Sequence, residues 1–283
     1  MNASIENYQR MLFPYAYNVL GAVEDAKDVI QDVMIRYAKN TSQAINNPKN
    51  YLIKSVINQA IQLKQKQNKT FPADVWLPEP VITDEDLQHH EIFNFSLLAR
   101  MERLNPKERA VFILKEGFGY SHEDIGEILS LTIENSRKIL SRAKERLKEI
   151  GSTTKIHFQP TVSDTVRKLI GAIRNGATEE VKTLLAEDIR FYADGGNKIK
   201  VVAKECIGAD EVSKLLIYVH QTFNSALETK CTIINHQPAV LFMQDGMIQS
   251  CQIFDIRQGN IIRVDAVIDP EKLKNLKSTP LYY

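Results

Sequence analysis

The sequence predicts two all-α helical domains followed by an α+β domain with a curved antiparallel sheet. Three observations support this fold class. Apolar residues follow a helical period from Ile5 to Thr70, two capped helices joined by a tight turn occupy Ser121 to Lys148, and the periodicity becomes mixed between Pro160 and Pro270. A chain of 283 residues, 43% of them hydrophobic, is long enough to give each domain its own core.

The first helical domain is predicted to span residues 1–70. Asn47 and Pro48 interrupt its pattern before a third amphipathic run, which ends in a segment rich in Gln and Lys. The first two helices each have one apolar side, formed by Met11, Leu12, Tyr15 and Val19 in the first and by Val29, Val33 and Tyr37 in the second.

Residues 71–90 are predicted to form a linker. Pro72, Pro78 and Pro80 prevent a continuous helix, because each lacks a backbone N–H and restricts the residue before it. The linker also carries Trp76, the only tryptophan of the chain. Burying this large ring against a neighbouring domain releases more free energy than leaving it in water, so we expect Trp76 to dock.

A helix-turn-helix is predicted within the second helical domain, residues 91–150. Asn105 is an N-cap for a helix that begins at Pro106, and Ser121 with Asp124 forms a capping box for the next helix. Gly126 lies inside this short helix, where glycine costs about 1 kcal/mol relative to alanine. That cost favours a close approach by another helix backbone.

The third helix of this domain follows a turn at Ser130 and a cap at Thr132, and it is strongly basic. Arginine can pair with guanine edges in bidentate fashion while lysine mostly binds phosphates, so the helix has the chemistry to read DNA. The alternative is a solvated bundle helix, but the double cap, the tight turn and the glycine favour DNA binding. Its polar surface carries Arg137, Lys138, Ser141, Arg142, Lys144, Arg146 and Lys148.

The third domain is predicted to cover residues 160–283, including a C-terminal tail. Its hairpin turns are expected at Asp245-Gly246 and Gln258-Gly259. Helices are predicted at Val166–Ile173, Glu180–Leu185 and Asp210–Phe223. Strands are predicted at Arg190–Tyr192, Lys198–Cys206, Lys230–Asn235, Ala239–Met243, Ile248–Ile256 and Asn260–Ala266.

Composition narrows the functional classes. The formal net charge is only +1, so any DNA affinity must be local. Cys206, Cys231 and Cys251 are widely separated, which favours a reduced cytoplasm and no metal site. Met1 to Arg10 has no apolar signal-peptide core, and no apolar run is long enough to cross a bilayer. The sequence therefore predicts a cytoplasmic protein without a membrane partner and without a cofactor.

The chain resembles bacterial extracytoplasmic-function sigma factors of the sigma-70 family. The acidic run from Glu24 to Asp32 resembles the polymerase-gripping helix of their region 2, and Asn47 to Leu52 with Asn58 resembles the part that melts and reads the -10 element. The segment from Asn105 to Lys148 resembles region 4, which binds the -35 element.

Three further motifs resemble the group of these sigma factors that has a fused C-terminal SnoaL-like domain. Trp76 to Pro80 matches the linker motif in full, whereas Asp194 to Lys198 and Asp269 to Leu273 resemble the two C-terminal motifs. Asn197 stands where a third glycine is usual, and Asp269 and Glu271 replace asparagine and aspartate.

The resemblance implies an alternative sigma factor that binds the clamp region of RNA polymerase core, recognises promoter DNA and is modulated by its own third domain. For polymerase it implies Asp28, Gln31, Asp32 and Arg36, although an ordinary solvated helix face would have the same charge pattern. For the -10 element it implies Asn58, Gln62, Lys64, Lys66 and Lys69, and for the -35 element Arg137, Lys138, Ser141, Arg142 and Arg146. For interdomain control it implies Trp76, Leu77, Pro78, Glu79, Pro80, Asp194, Gly195, Gly196, Lys198, Asp269, Pro270, Lys272 and Leu273.

Two other classes stay open at this point. A helix-turn-helix regulator with a ligand-sensing SnoaL-like domain would need the DNA-binding helix but no polymerase-facing domain, and a small ligand in the C-terminal cavity would suit it. A helix-turn-helix regulator with an enzymatic SnoaL-like domain would need a polar cavity that a ligand can reach. No spacing ties the candidate proton-moving residues into a site, so the sequence predicts no enzyme. Those residues are Asp194, His220, His236, Asp255 and Asp265.

Overall fold

The computed structural model describes residues 2–39, 47–70, 75–83, 91–149 and 164–276. The first helical region consists of α1 (Asn2–Leu20), α2 (Val23–Lys39) and α3 (Pro48–Thr70). Gly21, with φ of 72°, separates α1 from α2. Helix α2 has acidic residues in its first turn and basic residues in its last, which suits the helix dipole.

The second helical region contains α4 (Phe95–Met101), α5 (Pro106–Phe112) with a π-helical turn at Ile113–Gly117, α6 (His122–Leu129) and α7 (Ile133–Glu149). The predicted N-cap at Asn105 and the predicted capping box at Ser121 are confirmed, and both helices have a full capping box: the side chain of the capping residue accepts from the backbone N–H of the third helical residue, whose carboxylate accepts from the backbone N–H of the capping residue. Ser130 adopts the left-handed conformation at the end of α6 and forms the predicted turn.

The prediction about Gly126 needs a correction. A Cβ atom at this position would come within 2.7 Å of the Leu131 carbonyl oxygen. The close neighbour is therefore the backbone of the turn that follows α6, and not the backbone of another helix. The glycine lets the turn fold back tightly onto the helix that precedes it.

The two helical regions share one apolar core. Tyr15 of α1 stacks on Phe118, which follows α5, with ring centroids 3.8 Å apart, and its hydroxyl lies 3.1 Å from that of Tyr120. The Asn58 amide of α3 donates a hydrogen bond of 2.9 Å to the Ile128 carbonyl of α6. The two regions are thus held in direct contact.

The third region has one six-stranded sheet in the order β2-β1-β6-β5-β4-β3. Its strands are β1 (Leu185–Asp194), β2 (Glu205–Ile207), β3 (Glu228–Ile234), β4 (Gln237–Gln244), β5 (Met247–Arg257) and β6 (Asn260–Val267). Its helices are α8 (Asp164–Arg174), α9 (Thr178–Leu184), α10 (Ala209–Val219) with a π-helical turn at His220–Asn224, and α11 (Pro270–Leu273). The α+β class is confirmed, and the sheet is open rather than closed.

Two details of the predicted sheet are wrong. Strands β1 and β6 pair in parallel, whereas the other neighbouring strands pair antiparallel. The predicted strand Lys198–Cys206 is mostly a loop, and only Glu205 to Ile207 pairs with β1. A turn at residues 196–198 changes the chain direction where this strand was predicted to begin, so the segment after it leaves the sheet.

The two faces of the sheet pack against different partners. One face contributes Phe191, Phe254 and Val264 to a core with helices α8 and α10. The opposite face contributes Tyr192 and Ile253 to a second core, which also contains Leu77 of the linker and Phe95 of α4. This second face joins the third region to the rest of the chain.

Candidate functional site

The predicted polymerase-binding residues lie on one exposed face of α2. Asp28, Gln31, Asp32 and Arg36 are all exposed at spacings of three, one and four residues. Within this set the Arg36 guanidinium donates to the Asp32 carbonyl at 3.2 Å, and the Asp32 carboxylate accepts from the Gln59 amide of α3 at 3.0 Å. The carboxylates are held toward solvent, where a cationic partner surface could reach them.

A groove of about 1180 Å³ lies between α2 and α3. Acidic residues of α2 line one side, and amides and cations of α3 line the other. The structure therefore brings most of the predicted polymerase and -10 residues to one place. Of those predicted residues, the groove is lined by Asp28, Asp32, Arg36, Asn58, Gln62 and Lys66.

Two predicted -10 residues are engaged inside the protein. The Lys64 ammonium is buried, donates to the Leu20 carbonyl at 2.9 Å and pairs with the Glu102 carboxylate at 2.8 Å. Burial lowers the pKa of Lys64, and Glu102 opposes that shift. In this arrangement Lys64 cannot reach DNA phosphates, because its face of α3 points into the core. Asn58 is bonded to Ile128, and the Lys69 side chain lies outside the described residues.

The predicted -35 residues share the exposed side of α7. Arg137, Lys138, Ser141, Arg142 and Arg146 are all exposed, whereas the apolar stripe of the same helix is buried. Lys138 pairs with Glu134 at 2.6 Å, and Arg146 pairs with the buried Glu108 of α5 at 3.0 Å. Within the described part of the chain, Arg137 and Arg142 have no ion-pair partner, in contrast to Lys138 and Arg146.

The three motifs of the linker and the third region meet in one buried cluster. The Asp194 carboxylate accepts a hydrogen bond of 2.8 Å from the Leu77 backbone N–H and pairs with the Lys272 ammonium at 2.6 Å. Lys272 also donates to the Leu77 carbonyl at 2.5 Å. Both backbone groups of Leu77 are therefore bound by this pair, which we call the Asp194–Lys272 clamp.

Trp76 lies against two cations. The ammonium groups of Lys64 and Lys272 are 4.2 and 4.1 Å from the centroid of its ring. The same ring contacts Gly21, where a Cβ would come within 3.0 Å of it. Cation–π attraction and this close contact together join the linker to both the first and the third region.

Glu79 binds the first region. Its backbone N–H donates to the Gly21 carbonyl at 2.8 Å, and its carbonyl accepts from the Tyr17 hydroxyl at 2.6 Å. Its carboxylate accepts from the Val23 N–H at 2.8 Å, at the start of α2. Burial raises the pKa of Glu79, and the Val23 hydrogen bond opposes the shift.

The glycine motif of the third region supports the clamp. Gly196 has φ of 60°, and a Cβ there would collide with the Asp269 carboxylate. Its N–H donates to Asp194 at 2.8 Å, and the Asp194 carbonyl accepts from the Asp269 N–H at 3.1 Å. Lys198 pairs with Glu271 at 2.6 Å on the surface. The substituted positions 269 and 271 are thus engaged within this chain.

Sequence reasoning missed the hairpin between β3 and β4. Asn235 and His236 both have positive φ, and the buried Asn235 side chain contacts the linker and both helical regions. An Asn in a two-residue turn was the available signal. Arg100 of α4, which pairs with Asp255 of β5 at 3.2 Å, was also missed.

Three of the five candidate proton-moving residues are held in ion pairs. Asp255 pairs with Arg100, Asp265 pairs with Arg263 at 2.6 Å, and Asp194 is held in the clamp. All three carboxylates lie on the sheet face that packs against the linker and α4. The opposite face, which the helices α8 and α10 cover, is lined by apolar side chains.

Two family descriptions match the chain. Sigma-70 region 2 matches residues 5–70, and Sigma-70, region 4 matches residues 94–147. The fold and its surfaces define the chain as a sigma factor with an additional α+β domain. The predicted resemblance to extracytoplasmic-function sigma factors with a C-terminal SnoaL-like domain is thereby confirmed, and the chain is an alternative sigma factor that directs transcription initiation.

Similar proteins span nearly the whole chain. ECF RNA polymerase sigma factor SigJ of Mycobacterium tuberculosis is 25% identical over 95% of this chain and 92% of the relative. Probable ECF RNA polymerase sigma factor SigI of that organism is 22% identical over 98% and 96%. The crystal structure of the M. tuberculosis sigma factor SigJ matches with a TM-score of 0.78 and 23% identity, covering 98% of this chain and 100% of that chain.

These matches favour the sigma-factor interpretation over the plain helix-turn-helix regulator, because region 2 is present as well as region 4. Sigma factors as a family are not enzymes. In the described part of the chain, no helix combines the length and apolarity that a membrane span requires.

Proposed function

We propose that this sigma factor binds the clamp region of RNA polymerase core through the exposed face of α2. The observation that supports this site is the row of outward carboxylates at Asp28 and Asp32, which complements a cationic surface. Residues of α3 that line the adjacent groove then contact the -10 strand, with Gln62 and Lys66 in the leading roles. Arg137 and Arg142 of α7 read the -35 duplex.

The third domain controls the separation of the two DNA-reading regions. The positions of the -35 and -10 elements differ by about 25 base pairs, which corresponds to about 85 Å along the DNA at ~3.4 Å per base pair. In the present arrangement α3 and α6 are in contact, so the two regions cannot bind both elements at once. Initiation therefore requires them to separate, and the linker must leave at least part of its binding site.

The single observation that supports this control is the buried clamp on Leu77. It joins the linker to the third domain, while Glu79 joins the same linker to the first region. A third domain held in this way stabilises the closed state, in which α3 and α6 are in contact. Its release shifts the population toward the open state that promoter binding requires.

Core binding is tested with purified core polymerase from a bacterium. Replacing Asp28 and Asp32 by lysine is expected to abolish co-elution with core, because repulsion replaces attraction at the interface. The matched control replaces Asp245 by lysine at the exposed turn between β4 and β5. Undiminished co-elution of the Asp28/Asp32 variant would remove α2 from the proposal.

The regulatory role is tested by transcription reconstituted with core polymerase. Chains that end at successive points between residues 150 and 280 are expected to differ in promoter activity from the full chain. Equal activity of all of them would show that the third domain exerts no control. We further propose that the protein acts in the cytoplasm. We also propose that its third domain catalyses no reaction, since the sheet face covered by α8 and α10 is apolar and the carboxylates of Asp255 and Asp265 on the other face are paired.

A further inference from the structure

The linker is bound by its main chain at alternate residues. Leu77, Val81 and Thr83 bond to the third domain, whereas Glu79 bonds to the first helical region. The positions between them are occupied by Ile82 and by Pro78 and Pro80, which have no N–H. The segment is therefore an extended peptide that lies between the third domain and the first helical region, and every second residue donates a backbone N–H to one of them.

The bonds around Val81 repeat the pattern found at Leu77. The Asn235 side-chain oxygen accepts from the Val81 N–H at 2.9 Å, and the Asn235 N–H donates to the Val81 carbonyl at 2.9 Å. One residue of the third domain thus binds both main-chain groups of a linker residue, as the Asp194–Lys272 clamp does four residues earlier. Leu77 and Val81 are both buried.

Neighbouring bonds extend this second contact along the β3 edge. The Thr83 N–H donates to the Ile233 carbonyl at 3.1 Å, and the His236 N–H donates to the Thr83 hydroxyl at 2.8 Å. Ile82 forms an antiparallel bridge with Ile234. The linker adds a short strand to the sheet edge, which is a general mode of peptide recognition.

Asn235 also reaches both helical regions. Its amide nitrogen donates to the Tyr17 hydroxyl of α1 at 2.9 Å and to the Phe93 carbonyl before α4 at 3.3 Å. All of these groups are buried, so removing the amide deprives each of a hydrogen bond that water cannot readily replace. The side chain therefore joins four parts of the chain at one point.

We propose that the third domain is a peptide-binding module for an extended, proline-interrupted segment, and that Asn235 is its second anchoring residue, acting on Val81. This inference rests on the proposed control of the sigma factor by the third domain. It adds a binding activity and a residue outside the linker motif and the two C-terminal motifs. The two anchors hold the two halves of the linker separately.

The test uses hydrogen exchange at single-residue resolution in the full chain. Asn235→Gly removes the side chain but keeps the positive φ that this turn requires. The Val81 amide is expected to exchange about tenfold faster or more, while the Leu77 amide keeps its wild-type rate. Asp245→Gly makes a comparable change in another two-residue turn, far from the linker along the sheet, and is expected to leave both amides unchanged.

Unchanged protection of Val81 in Asn235→Gly would overturn the inference, as would an equal acceleration of amides throughout the chain. If that variant does not fold, Asn235→Asp takes its place. Aspartate keeps the oxygen that accepts from the Val81 N–H, so the Val81 amide should exchange more slowly in Asn235→Asp than in Thr83→Ala. Rapid exchange of Val81 in Asn235→Asp would equally refute the anchor.

Transcription with core polymerase is measured on the same samples. If the wild-type chain directs transcription but Asn235→Gly leaves the exchange rate of the Val81 amide unchanged, the anchor is refuted and the sigma-factor function stands. A wild-type chain that fails to bind core would instead refute the proposed function, whatever the exchange rates show.

Discussion

Replacing Lys272 by methionine should open the closed arrangement. Methionine keeps the apolar stem of the side chain but removes the ammonium that pairs with Asp194 at 2.6 Å and donates to Leu77 at 2.5 Å. Removing one partner of a buried ion pair costs about 3–5 kcal/mol. Asp194 still accepts from the N–H groups of Leu77 and Gly196, so we expect the lower end, about 3 kcal/mol.

This cost falls on the docked state, because the clamp exists only when the linker is bound. Since 1.36 kcal/mol corresponds to a factor of ten, about 3 kcal/mol raises the ratio of undocked to docked chains by about 100-fold. Small-angle scattering should report a larger radius of gyration, and promoter activity with core polymerase should rise. Both measurements are made at one ionic strength, since surface charges on the DNA-binding helix are screened by salt.

Lys274→Met is the matched control. Lys274 is exposed and only 3.4 Å from Glu271, also exposed, so removing its charge should change the docked population by less than a factor of about five. If Lys272→Met and Lys274→Met gave the same radius of gyration and the same promoter activity, the clamp would not hold the domain in place, and the reasoning would be refuted.

Three further predictions concern DNA reading, acid stability and the glycine turn. Arg137→Ala should cost ~1–3 kcal/mol of the free energy of -35 binding and relax the preference at one base pair, whereas Lys148→Ala should weaken binding to all sequences alike. Binding is measured over a salt series on matched and mismatched duplexes. If both variants weakened binding to every duplex equally, Arg137 would not read a base. Burial alone would raise the pKa of Glu102, but Arg109 and Lys64 hold it below its ordinary 4.5, so its stabilisation is complete above pH 4.5 and is lost as the pH falls below that value. Glu102→Gln should therefore lower the free energy of unfolding by ~3 kcal/mol at pH 7 and flatten its fall below pH 4.5 in denaturant titrations, whereas a parallel pH profile would contradict this. Gly196→Ala should cost ~1–3 kcal/mol in thermal unfolding, because of its positive φ and the collision with Asp269, and an unchanged midpoint would contradict the strain.

Local signals predicted the helical regions well. The caps at Asn105 and Ser121 involve residues three apart, so short sequence windows contain all the information they need. The same holds for the turns at Asp245-Gly246 and Gln258-Gly259, where all four residues have positive φ. Family resemblance, rather than periodicity, indicated which linker and C-terminal motifs meet.

Long-range placement could not be predicted. Lys64 looks like other surface lysines in a Gln/Lys-rich segment, and only the joint presence of Glu102, Trp76 and the Leu20 carbonyl makes its burial favourable. The parallel pairing of β1 with β6 joins strands far apart in sequence, which no local turn signals. In the sequence, Asn235 resembled the ordinary last residue of a strand, because its partners lie in the linker and the helical regions.

The hairpin tip at Asn235 also limits how this domain can be transplanted. It recognises the linker main chain, yet it also needs the Tyr17 hydroxyl and the backbone at Phe93 in fixed positions. A chimera that fuses residues 164–276 to an unrelated sigma factor would keep the Asp194–Lys272 clamp, Asn235 and the β3 edge but lose those partners. A portable version of this regulator would therefore have to include this chain's linker and the adjoining faces of α1 and α4.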